Sequence, residues 1–416
     1  MVDEPGTSTI FFILIMLYNK NMKSEVRIFY YLSFLGGLFY NITAPLFVVY
    51  GLSLGFTIAK VGILFGAMKI STFIFEVPTG IIADTYGRKK SILFAYALSG
   101  VSALIYFTNT DFFMLLLGSL IAGIALTFIS GAFEALTVDS LNLSKDDKRR
   151  NRAFVWIGIA STIGFIVGGV VGSGVAFLNL KYIWLVQALI ALIAFLLGIM
   201  FLKETRYQKS ESITQASGFL KLISRQAKTA LVSILNNRKI LWIFSFTVLF
   251  SFANAVYHIA WPIIFKDILM IPIHYFGVIA SAAGVFYLLG SLATERYARK
   301  TSTLRVLVIS LFSMTAGFII FIVSRNVILS LLCFMLIDFF NGGFQPLFYS
   351  LLNIYIPSKE RATILSYYSL TTAGTSGAGE IIAGYLLLIV SAPIVLVLSP
   401  LLIGTGLGFF IKLKED

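Results

Sequence analysis

The chain has 416 residues, of which 58% are hydrophobic and only 12% charged, and its mean hydropathy is +0.92. Soluble domains carry about 25% charged residues, so this chain cannot coat a water-facing surface and is neither an ordinary cytosolic enzyme nor a disordered chain. A single cysteine, Cys333, and two histidines, His258 and His274, exclude disulfides within the chain and leave no metal or cofactor site to expect.

A membrane helix needs about 20 mostly apolar residues. Twelve such runs are predicted, over 28–50, 58–82, 91–108, 112–141, 153–178, 181–202, 240–265, 274–294, 304–323, 326–355, 362–390 and 392–411. They are continuously apolar rather than alternating, which argues against a β-barrel. The expected fold class is therefore all-α, an integral membrane protein with twelve transmembrane helices. Ahead of the first run, residues 10–17 are apolar but too short to span, and Asp3 and Glu4 replace the positive front of a signal peptide. Residues 1–27 read as a cytoplasmic, floppy or interfacial extension, or in part as an over-long gene start.

The basic residues set the orientation. Placing both termini inside leaves only Lys60, Lys181, Lys266 and Arg325 on the outer side, with Lys69 within a span and every other Lys and Arg in the cytoplasmic segments. The net charge of +13 then needs no nucleic acid to explain it. The longest polar stretch, 203–239, separates a six-span bundle at 28–202 from a second at 240–411, and 412–416 is a cytoplasmic tail. Within that linker, apolar and basic residues over 219–234 alternate at helical spacing, as in a basic amphipathic helix on a membrane surface.

The two halves echo each other. Ala83-Asp84-Thr85-Tyr86-Gly87-Arg88-Lys89 lies between spans 2 and 3, and Thr294-Glu295-Arg296-Tyr297-Ala298-Arg299-Lys300 between spans 8 and 9. Acid, Tyr, Arg and Lys keep their spacing. Two pseudo-symmetric six-helix bundles around a central cavity are the architecture such a repeat describes.

At this point the chain resembles the major facilitator superfamily, over residues 22–416. Gly80-Ile81-Ile82-Ala83-Asp84-Thr85-Tyr86-Gly87-Arg88-Lys89-Lys90 is similar to its loop 2–3 signature, G-x-x-x-D-x-x-G-R-K/R. The preceding Phe75-Glu76-Val77-Pro78-Thr79 is most like bacterial drug-exporter members. The resemblance implies a conformational latch made of Gly80, Asp84, Gly87, Arg88 and Lys89, with Asp139 as the second acid and the start of span 11 as the helix end facing Asp84. The alternative is that these charges only fix loop topology. Two departures bear on coupling. Ser119 stands near the place of a span 4 arginine, and Gly164-Phe165-Ile166-Val167-Gly168-Gly169 keeps the glycines but not the proline of the span 5 antiporter pattern.

Ionisable residues inside spans are costly and default to a functional reading. Asp338, about 18 Å into span 10, is a proton-coupling candidate, unless a fixed partner such as Lys69 neutralises it. Glu134 in span 4 is the second candidate. Lys69, Glu76 and Glu380 read as structural charges with partners on other helices. Asn254, Tyr257, His258 and Trp261 share one face of span 7. With Tyr40 and Asn41 of span 1 and Asn341 and Gln345 of span 10, they are the cavity and substrate candidates. An aromatic cavity with an acid suits a lipophilic, in part cationic, small-molecule substrate.

These readings lead to a secondary transporter of the plasma membrane, in a bacterium the inner membrane, working as a monomer by alternating access. They favour proton-coupled efflux of small lipophilic compounds. The rival is a proton- or sodium-coupled uptake symporter. An intramembrane lipid-modifying enzyme is a distant alternative, with no cluster of catalytic residues to support it.

Overall fold

In a computed structural model the protein is described over residues 24–140, 147–204, 232, 234–357 and 361–415. The short apolar run at 10–17 and, apart from Val232 and Ile234, the amphipathic stretch at 219–234 lie outside the described residues. Among the described residues, twelve helical segments are long and apolar enough to cross a membrane, as the apolar runs require. They are α1 (Arg27–Ser53), α2 (Ile58–Tyr86), α3 (Arg88–Thr108), α4 (Phe112–Ser140), α5 (Ala153–Leu178), α6 (Tyr182–Phe201), α7 (Arg238–Ile268), α8 (Ile273–Ala298), α9 (Thr303–Val323), α10 (Val327–Tyr355), α11 (Thr363–Ile389) and α12 (Ala392–Phe410).

Polar residues just outside the apolar runs set several helix starts. Asp111 caps α4 by accepting from the N–H groups of Phe113 and Met114, Asn237 caps α7, and Asn326 caps α10. Interruptions fall where the sequence supplies them. Pro45 lies in a short 3₁₀ turn, Ala44–Leu46, that breaks α1. At Ser130 and Gly131, α4 divides into Phe112–Ile129 and Ala132–Ser140. After Pro262, α7 widens into a π turn, Ile264–Ile268.

The packing repeats between halves. In the first, α1 lies on α5, α2 on α4, and α3 on α4 and α6; in the second, α7 lies on α11, α8 on α10, and α9 on α10 and α12. Small residues allow the closest approaches. Gly168 and Gly172 of α5 face the backbone of Leu38 and Ile42, where a Cβ would meet carbonyl oxygens at 2.6 and 2.5 Å.

The halves meet through α2 against α11 and α5 against α8. Loop 2–3 marks one end of the molecule, the basic end. The close contacts between halves lie towards the opposite end: Gly62 packs on Glu380 and Gly384, and Gly169 on Gly277. There Ser173 Oγ accepts the Val278 N–H at 2.9 Å, and Ser281 donates to the Ile166 carbonyl at 2.7 Å. One apolar core runs across both halves at that end and continues through the second half to the basic end, at Ile240, Ile356 and Phe410. At the basic end the first half keeps a smaller core of its own, around Phe29, Ile92 and Leu136.

Candidate functional site: a central cavity, a side chamber and a charged loop

A cavity of about 330 Å³ lies between the halves, with walls from α1, α5, α7, α8 and α10. Of the residues singled out from sequence, it brings together Tyr40, Asn41, Tyr257, His258, Trp261 and Asp338. Asn41 donates to the Phe165 carbonyl at 2.9 Å, which ties α1 to α5. Tyr40 stacks on the Phe165 ring, centroids 6.2 Å apart. Tyr257 is held edge-on against Phe318 at 5.0 Å, and its hydroxyl meets no hydrogen-bond partner among the described residues. No Lys, Arg or His nitrogen lies within 4.0 Å of the Asp338 carboxyl among the described residues; Lys69 does not neutralise it directly.

Three of the cavity candidates are not on this wall. Asn254 turns its amide back to the Phe250 carbonyl, 2.8 Å away. Asn341 and Gln345 lie one and two turns beyond Asp338, and neither lines the cavity. Helical spacing placed them on the same stripe, but the cavity touches α7 and α10 only at one depth. The wall also contains Ser161, Thr162, Phe165, Tyr287 and Phe334, which sequence reasoning did not select. Uncharged hydroxyls and rings are too common in these spans to stand out.

A second chamber, about 250 Å³, is enclosed by α1, α2, α3, α4 and α6, and shares Tyr40, Ala44 and His258 with the first. Lys69 lines it, and so does Ser119, whose hydroxyl pairs with Tyr106 at 2.6 Å. The intramembrane acids have different surroundings. The Glu380 side chain is 2% exposed, with Oε1 3.8 Å from Nδ1 of His258, and Lys69 lies within its electrostatic reach. Glu76 accepts from the Ser130 hydroxyl at 3.1 Å. Glu134 is exposed, in the first turn after the break in α4, and lines neither space.

At the basic end, Gly87 takes φ +108°, a conformation that favours glycine, and turns α2 into α3. Arg88 pairs with Asp139 and lies 3.9 Å from Asp84. Lys89 donates its ammonium to the Ile199 carbonyl at 3.0 Å. Gly80 has open space at its Cα. A carboxylate remote in sequence receives the start of α3. Glu204, after α6, accepts the N–H groups of Arg88 and Lys89. A sequence separation of 116 residues hides that pairing from any local pattern.

The Major Facilitator Superfamily profile matches residues 29–259 and 243–416. Multidrug resistance protein 2 of Bacillus subtilis is 30% identical over 172 residues, 40% of this chain and 42% of that protein, so the match covers under half of either. The uncharacterized MFS-type transporter YxaM of the same organism is 24% identical over 88% of this chain and 89% of its own length. The class H tetracycline resistance protein of Pasteurella multocida is 28% identical over 36% of each chain. Among solved structures, the nucleoside transporter NupG superposes with a TM-score of 0.77 over 95% of this chain and 100% of its own, at 17% identity; this likeness speaks for the fold.

Proposed function

The chain belongs to the major facilitator superfamily, and from that premise we propose that it exports small lipophilic compounds from a bacterial cell in exchange for protons. The observation that carries the reading is Asp338. It stands on the wall of the cavity between the halves, with no cation within 4.0 Å among the described residues, so its charge is answerable to a proton or a substrate. Tyr40, Tyr257 and Trp261 around it offer apolar area and ring faces for a lipophilic molecule with a cationic group. In this reading the basic end is cytoplasmic by the excess of Lys and Arg, both termini lie there, and the form described is open inward. Arg88 with Asp84 and Asp139 sets the balance between inward and outward forms. The partial matches to drug-resistance proteins support efflux over uptake.

The test uses inside-out vesicles with a respiration-driven proton gradient and a pH-sensitive dye. Tetraphenylphosphonium, rhodamine 6G and tetracycline are added in turn, with a neutral nucleoside as comparison. Efflux requires that at least one lipophilic compound dissipates the gradient with the wild-type protein and not with Asp338→Asn. Dissipation by the nucleoside alone would favour metabolite transport. No response to any of them would overturn the proton-coupled reading.

A further inference from the structure

Glu380 takes no part in the exchange proposed for Asp338, yet among the described residues it is the one Asp, Glu, Lys or Arg that is buried. A carboxyl so enclosed needs donors or a countercharge to stay ionised. Donors are missing. Oε2 has no hydrogen-bond partner among the described residues, and Oε1 stands 3.8 Å from Nδ1 of His258, beyond hydrogen-bond distance. The elements packed on α11 are α2, α7 and the first turns of α12. They face the carboxyl with Lys69 from α2 and His258 from α7, while Ala392–Leu396 of α12 holds no titratable residue.

Lys69 and Glu380 belong to different halves, and small residues bring them together. Gly62 abuts the Glu380 carbonyl and Gly384, Gly66 abuts Ile381 and Gly377, and a Cβ on Gly377 would meet Lys69 Cβ at 3.0 Å. Gly377 precedes Glu380 by about one turn of α11, so Lys69 approaches the carboxyl along the seam from the side of loop 2–3. This seam is one of the two that join the halves. Whether Glu380 is enclosed, and whether Lys69 is beside it, therefore depends on the halves being together at the end remote from loop 2–3. His258 is the link to water: its side chain is 39% exposed and lines both the central cavity and the side chamber.

We propose that Glu380 is a second proton-binding site of the transporter, and that a proton on it closes the seam between α2 and α11. A neutral carboxyl is buried at little cost and a carboxylate at a large one, so a proton taken up while the seam is open favours closure. In the closed form the proton leaves through His258. A small rotation closes the 3.8 Å gap, the Glu380 O–H bond breaks as an N–H bond forms at Nδ1, and the imidazolium gives its Nε2 proton to water in the cavity. The ring regains its first tautomer by exchange with the same water. Lys69 answers the carboxylate left behind, which gives a task to a cation roughly 16 Å deep in α2. That carboxylate then favours reopening. Protons so carried run inward, as exchange for an exported compound requires; on that point the inference rests on the transport reading.

The experiment follows the seam itself. Spin labels are attached to Leu178→Cys on α5 and Ile389→Cys on α11, both exposed, in a Cys333→Ser background. Their distance is measured by pulsed electron resonance on the full chain in lipid nanodiscs, from acid to alkaline pH. In the otherwise unaltered chain the longer distance should gain population as pH rises. Glu380→Gln, permanently neutral, should reduce that response several-fold and hold the short distance. Lys69→Met should raise the ratio of long to short about ten-fold at alkaline pH, because the closed form loses its countercharge, and leave it unchanged at acid pH. Lys69→Arg should behave as the parent. If Lys69→Met does not fold, Glu380→Gln carries the test. A distance indifferent to pH in the parent would overturn the proposal, and so would a pH response of parental size in Glu380→Gln. The measurement uses neither substrate nor gradient, so a failed vesicle assay leaves it standing, and its own failure leaves Asp338 as the coupling candidate.

Discussion

Glu204 holds the first turn of α3 from a distance in sequence: its two carboxylate oxygens accept the N–H of Arg88 at 3.0 Å and of Lys89 at 3.1 Å. A helix start leaves N–H groups unsatisfied, and a carboxylate there gains from the helix dipole as well. The same contact leaves no room beside Gly87, where a Cβ would come within 2.7 Å of Glu204 Oε2. Loss of a capping side chain costs about 0.5–2 kcal/mol. Glu204→Ala should therefore lower the melting temperature in detergent, and Gly87→Ala should do so further because it adds backbone strain. Thermal unfolding followed by tryptophan fluorescence checks both. An unchanged melting temperature for Gly87→Ala would contradict the packing described.

Arg88 and Asp139 are partly exposed, with side-chain exposures of 28% and 44%. Exposed ion pairs contribute about 0.2–1 kcal/mol to stability. Asp139→Asn should thus barely move the melting temperature, yet slow transport in every mode if the pair biases the two conformations. Arg88→Lys should not restore it, because a lysine cannot engage two acids with a planar fork. Transport rates normalised to folded protein decide the matter: an Asp139→Asn variant as fast as wild type would make the pair a topological marker only.

For Asp338 the prediction separates coupling from binding. Asp338→Asn keeps the shape of the wall but cannot exchange a proton. Uphill efflux should fall below one-tenth of wild type, while downhill exchange of the same compound continues. Asp338→Glu should retain part of the uphill activity. Equal uphill transport by wild type and Asp338→Asn removes the residue from the coupling step.

How far the sequence carried this picture follows from the cost of charge in lipid. The twelve spans were legible because an uninterrupted apolar run of about 20 residues has few other homes. Asp338, His258 and Lys69 stood out because ionisable groups at such depth are rare. Tyr287, Thr162 and Phe334 did not, because their residue types are as common on lipid-facing and packed surfaces as on a cavity wall. Asn254, Asn341 and Gln345 shared a helical stripe with true wall residues, yet a stripe gives a direction and not a depth. Glu204 was invisible for another reason: its partners are set by where α6 ends in space, which no local spacing encodes.

The approach of α5 to α8 gives a prediction about conformation. A Cβ on Gly277 would come within 2.7 Å of Ser173 Oγ and closer still to the Gly169 backbone. Gly277→Val should force the halves apart at the end remote from loop 2–3. With Cys333 replaced by serine, a cysteine at Ala280, on the cavity wall, should become reactive from the outside of intact cells when Gly277→Val is added. Transport should drop below one-tenth. Continued protection of that cysteine would mean that the seam tolerates the extra atoms.

The seam has a mechanical meaning of its own. Gly62 lies against Gly384 and Gly169 against Gly277, so at these points main chain of one half touches main chain of the other. Surfaces of this kind separate like smooth plates. The resistance there is the weak dispersion between the few atoms in contact, together with the two hydrogen bonds that cross the seam, Val278 to Ser173 and Ser281 to Ile166. A protein whose two halves must part and rejoin in every cycle gains from closing on its plainest residues, because the closed door is tight against solutes and still light to open.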